Sequence, residues 1–88
     1  MSSKSAEKLF TKMTASKSGW GADDLDALYT GFGFEKKEGR RHALYMHPRF
    51  PGLVATVARH RDLATGYVQH AVKLIQLVKV MEGGGHET

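Results

Sequence analysis

The chain contains no cysteine, which excludes disulfides, a thiolate nucleophile, cysteine-ligated zinc and thiol redox chemistry in one step. Long apolar runs are missing as well. The longest, Leu53 to Ala58, is broken by Thr56 and falls far short of the roughly 18 residues that a membrane span needs. No basic, then apolar, then small-residue leader opens the chain, so the expected compartment is the cytoplasm, without membrane contact. No Gly-x-Ser-x-Gly elbow supports a serine nucleophile. Gly31-Phe32-Gly33 is too short for a dinucleotide fingerprint and follows a helical stretch where that motif should follow a strand. Proline occurs twice, at Pro48 and Pro51, and both residues punctuate one segment.

What is there fits one small domain. The 88 residues are 41% hydrophobic and 25% charged, close to the average for soluble globular chains. A chain of this size buries only about 60–65% of the surface its unfolded form exposes. Net charge is +4, and it is unevenly spread. Between Phe34 and Arg61 lie seven basic residues (Lys36, Lys37, Arg40, Arg41, Arg49, Arg59, Arg61) against Glu35 and Glu38, while the remainder holds six basic and seven acidic residues. A basic middle between near-neutral ends points to a polyanionic partner.

Ala6, Leu9, Phe10 and Met13 recur at helical spacing and predict a short helix over Ser5–Thr14, docked through Leu9 and Phe10. Thr14 to Gly21 reads as a connector with Trp20 as its anchor. Asp23, Asp24 and Asp26 crowd the start of a second helix, Ala22–Thr30, where carboxylates favour the positive end of the dipole, and Gly31 is placed to end it. Phe34–Glu38, Arg41–His47 and Leu53–Ala58 read as three strands, the first two joined at Gly39–Arg40 and the last two separated by the prolines. Val68, Ala71, Val72, Ile75 and Val78 form one stripe of a last helix, Thr65–Met81. The expected fold is α+β: an antiparallel three-stranded sheet covered by helices on one face. Residues 1–82 make the domain, with 5–14 an extra helix, 22–81 the core and 83–88 a flexible tail.

Alternation along the second strand puts His42, Leu44 and Met46 on one face and Arg41, Ala43, Tyr45 and His47 on the other. Tyr45 suits a sheet–helix interface, which leaves His42 on the open face. A metal site is not expected, because His42 and His47 face opposite ways and Asp62 is the only carboxylate near His60. His70 and His86 are expected to be incidental. A histidine among guanidinium groups suits RNA cleavage without metal or other cofactor. RNA brings its own nucleophile, the 2′-OH, so the protein need only orient it, move protons and stabilise phosphate charge. An imidazole with a reference pKa of about 6.5 serves either proton step.

Gly31-Phe32-Gly33-Phe34, Gly39-Arg40-Arg41-His42-Ala43-Leu44-Tyr45-Met46-His47-Pro48, Thr56-Val57-Ala58-Arg59-His60 and Leu63-Ala64-Thr65-Gly66 together resemble the HicA family, the toxins of HicA–HicB toxin–antitoxin pairs. The likeness runs from about Lys8 to Val80. Arg40 and Arg41 stand where that family usually has Gly-Ser, Ala58 where it has proline, and Leu44 and Met46 where polar residues are common. The resemblance implies a fold like the double-stranded-RNA-binding domain (α-β-β-β-α), mRNA cleavage, a catalytic role for His42 and a HicB-like protein partner. Beside His42, the residues expected to hold the RNA backbone are Lys37, Arg40, Arg41, Arg59, His60 and Arg61. Two other functions fit the same residues: a non-catalytic RNA-binding module, and a protein-interaction domain that uses exposed Leu44 and Met46.

Overall fold

The computed structural model describes residues 4–83. Three helices and three strands follow in the order α1 (Lys4–Ala15), α2 (Ala22–Gly31), β1 (Glu35–Glu38), β2 (His42–Met46), β3 (Val54–Ala58) and α3 (Thr65–Gly83). The strands form one antiparallel sheet in the order β1-β2-β3. Leu44 lies opposite Lys37 on one side and Thr56 on the other; His42 lies opposite Ala58. Gly83 ends α3, so the helix runs two residues beyond the expected Met81 and takes in the first residue of the expected tail. The rest of that tail, with His86, lies outside the described residues.

Side-chain alternation explains the layering. Ala43 and Tyr45 of β2 and Ala55 and Val57 of β3 are buried beneath the helices, and their cross-strand neighbours on β1 are Lys36 and Glu38. The opposite face carries Glu35, Lys37, His42, Leu44, Met46, Val54, Thr56 and Ala58. The core centres on Tyr29 of α2, whose ring stacks on Tyr45 at 4.9 Å and meets Phe34 edge-on at 5.0 Å. Each such aromatic pair adds about 0.5–1.5 kcal/mol beyond area burial. The Tyr29 hydroxyl is buried without a hydrogen-bond partner among the described residues, and burial pushes its pKa far above the ordinary phenol range.

The five-residue stripe of α3 is fully buried, joined by Leu74. On α1 the expected stripe faces inward, but Ala6 and Met13 are its deepest members, while Leu9 and Phe10 pack half-buried at its margin. Lys79 of α3 links the two helices, pairing with Glu7 at 2.8 Å while lying over the Phe10 ring at 5.3 Å.

His47, just past β2, is the one buried polar residue among the described residues, at 2% exposure. The Arg49 backbone N–H donates to its Nδ1 at 3.2 Å, which leaves Nε2–H to donate to the Phe32 carbonyl, also at 3.2 Å. Its ring meets Phe34 edge-on and lies against Phe50. One imidazole thus ties the α2–β1 connection to the β2–β3 loop. Gly33 permits this: its φ is +95°, and a Cβ there would sit 3.1 Å from the His47 Nε2.

Candidate nucleic-acid interface

His42 opens β2 and is exposed on the open face. It follows directly on the turn residues Arg40 and Arg41, both exposed. Gly39 N–H donates to the His42 carbonyl at 3.0 Å and closes that turn. A Cβ on Gly39 would lie 2.7 Å from the same oxygen, so the chain turns this tightly because position 39 lacks a side chain. Lys37, on the neighbouring edge strand, projects from the same face as His42. Among the described residues, none of Lys37, Arg40 and Arg41 is paired with a carboxylate. Three unneutralised cations and one imidazole therefore share the hairpin end of the sheet.

The remaining three predicted residues lie elsewhere. Arg59, His60 and Arg61 follow β3 and line a cleft of about 410 Å³ on the helix-covered side, together with Asp23, Asp24 and Asp26 of α2 and Lys36 and Tyr45 of the sheet. The Arg59 guanidinium donates to Glu38 and, at 2.7 Å, to the Gly39 carbonyl. The His60 carbonyl accepts the Ala22 N–H at 2.8 Å, and the Leu63 N–H reaches the Trp20 carbonyl at the same distance. These two bonds fasten the post-β3 loop to the start of α2. The seven predicted residues thus divide: Lys37 and His42 on the open face, Arg40 and Arg41 at the turn, and Arg59, His60 and Arg61 on the cleft side.

A polar chain that has no counterpart in the sequence reading runs along that cleft. Tyr45 donates its hydroxyl to Asp26 at 2.7 Å, Lys36 pairs with Asp26 and with Glu38 at 3.0 Å each, and Glu38 holds Arg59. Hydrogen bonds from Lys36 and then from Arg59 keep the Glu38 carboxyl below its ordinary range. Bonds to Glu38 and then Asp26 raise Lys36. Burial, followed by the bond to Asp26, raises Tyr45, so its phenol stays a proton donor to the carboxylate. Strand alternation aligns Lys36, Glu38 and Tyr45; Asp26 joins them only through the packing of α2, which has no local sequence signal.

Among the described residues, no three histidine, aspartate or glutamate side chains gather where they could hold a metal ion. No described helix is long and apolar enough to cross a membrane. Comparison with protein-family models, with curated proteins and with solved structures finds no match for this chain.

Proposed function

We propose that the chain is a metal-independent endoribonuclease resembling the HicA toxins, which holds RNA by its phosphates at the hairpin end of the open sheet face and uses His42 for proton transfer. One observation carries this: His42 is exposed on the uncovered face, beside a turn whose two guanidinium groups have no carboxylate partner among the described residues. The order α2-β1-β2-β3-α3 agrees with the double-stranded-RNA-binding-domain arrangement that the resemblance implies. No Phe, Tyr or Trp side chain belongs to the open face of the strands among the described residues, so the platform of large rings on which successive bases stack is absent there. Contact falls to phosphates, which position RNA without reading its sequence.

In this reading His42 takes the proton of a 2′-OH, or gives one to the leaving oxygen, and Arg40, Arg41 and Lys37 stabilise the charge that builds on the attacked phosphate. His60 and Arg61 line the cleft on the helix-covered side beside Asp23, Asp24 and Asp26 and are assigned no phosphate in this reading. Arg59 is occupied by Glu38 and Gly39 and is assigned no phosphate.

A protein partner for the same face, HicB-like by the resemblance, is favoured by Met46 and Val54, 39% and 38% exposed, beside half-buried Leu44. The test is incubation of the purified chain with RNA and with DNA of the same sequence, in excess chelator. The reading expects RNA to be cut and DNA, which lacks the internal nucleophile, to stay intact. Intact RNA leaves binding without cleavage, and equal cutting of DNA removes the 2′-OH mechanism.

A further inference from the structure

Arg59 directly follows Ala58, the residue opposite His42 in the β2–β3 ladder. Because the strand order is β1-β2-β3, its bonds to Glu38 and to the Gly39 carbonyl cross the end of the sheet, past the start of β2. They grip the far side of the turn that delivers His42. The turn itself is closed by the backbone bond from Gly39 N–H to the His42 carbonyl. Glu38 is in turn held by Lys36, Lys36 by Asp26, and Asp26 by the Tyr45 hydroxyl, so the grip extends into α2 and the aromatic core.

We propose that Arg59 is a positioning residue for His42: it fixes the Gly39–His42 turn from the opposite face of the sheet, and so sets where the imidazole and the turn arginines stand relative to a bound phosphate. The kinetic part of this inference rests on the RNA-cleavage reading; the structural part does not. An arginine suits the task because its planar fork is pre-organised and loses less freedom per hydrogen bond formed than lysine does. Glu38 is the telling neighbour, since a carboxylate does not bind phosphate and influences the reaction only through the cations it holds.

The experiment compares Arg59→Ala, Glu38→Gln, the double variant and Arg59→Lys in the full chain. Cleavage kinetics are measured alongside protection of the Gly39 amide and the His42 ring resonances in RNA-free protein. Positioning predicts that Arg59→Ala lowers kcat by roughly tenfold to hundredfold while KM changes little. Glu38→Gln acts in the same direction, the double variant is no worse than Arg59→Ala alone, and Arg59→Lys recovers part of the loss. Gly39 protection falls in both single variants. If instead Arg59→Ala raises KM with kcat kept, and Glu38→Gln tightens RNA binding by freeing the guanidinium, Arg59 is a phosphate ligand and the proposal is overturned. Unchanged Gly39 protection and His42 resonances in both variants overturn it whatever the kinetics show. A native chain that leaves RNA intact removes the cleavage reading alone, and the amide and ring signals then decide the positioning role.

Discussion

The central strand has a histidine at its first residue and another just past its last, and the fold gives them opposite environments. His42 is exposed on the open face beside cations that have no carboxylate partner among the described residues. His47 is buried on the helix side, with both ring nitrogens engaged and aromatic rings on either side. Residues an odd number apart on a strand face opposite ways, so the same side chain is open to solvent at one end and committed to structure at the other. Residue type says little about role here; strand parity and burial say most of it.

The largest expected effect is on chemistry at the exposed end. His42→Ala should lower the RNA cleavage rate by about 10²–10⁴, the usual contribution of general acid–base catalysis. Its unfolding free energy should stay within about 0.5 kcal/mol of native. A variant that cuts at the native rate moves the proton-transfer role to another residue, and His60 is the next candidate. His47→Ala should do the reverse. It removes a buried ring and strands the Phe32 carbonyl, at a cost of about 2–4 kcal/mol in denaturant unfolding. The fraction that remains folded should keep native cleavage kinetics. If both variants lose stability equally, the two ends do not differ as described.

Alternation alone assigns each histidine to its face, because Ala43 and Tyr45 between them identify the buried side of the strand. The strand and helix positions are legible for the same reason: apolar periodicity and the punctuation at Gly31, Gly39 and Pro48–Gly52 lie within local windows. What is not legible depends on long-range packing. Arg59, which opens the run Arg59-His60-Arg61, reads as one more free cation until Glu38, from a strand two places away in the sheet, is seen to hold it. Composition adds the three post-β3 residues to the basic window; the geometry turns them to the cleft side. The depth of Met13 on α1, below Leu9 and Phe10, likewise depends on where α2 and α3 lie.

Smaller effects sharpen the contrast. Replacing Arg40 and Arg41 together with alanine should weaken RNA binding for many sequences alike. It should also flatten the slope of log affinity against log salt by about 0.7 for each single-strand phosphate that is no longer neutralised. An unchanged slope means the turn does not touch the backbone. In the core, Tyr29→Phe removes a buried hydroxyl that has no partner among the described residues and should leave stability unchanged or raise it by up to about 1 kcal/mol, read from the unfolding midpoint. A clear loss would mean that the hydroxyl is satisfied in solution.

The smallest effect is that of pH on the anchoring of the turn. Glu38 is held below its ordinary value of 4.5, so its contribution is complete above that value and fades as pH falls through the lower folded one. Lys36 is held above its ordinary 10.5, so its contribution is complete below that value and is lost as pH rises through the raised one. Gly39 amide protection, corrected for intrinsic exchange, should therefore be flat between about pH 5 and 10 and decline outside that range. A decline centred near neutrality would point to a histidine instead of this network.

The central claim is that the exposed end of β2 cleaves RNA through the substrate's own 2′-OH. Its most direct measurement is single-turnover cleavage, by the native chain in chelator, of an RNA strand and of the same strand with one 2′-deoxy nucleotide at the cut position. If that claim holds, the all-ribose strand is cut, leaving a 2′,3′-cyclic phosphate, and the single deoxy substitution blocks the cut at that position. Cutting at the deoxy position, or an all-ribose strand left whole, would contradict it.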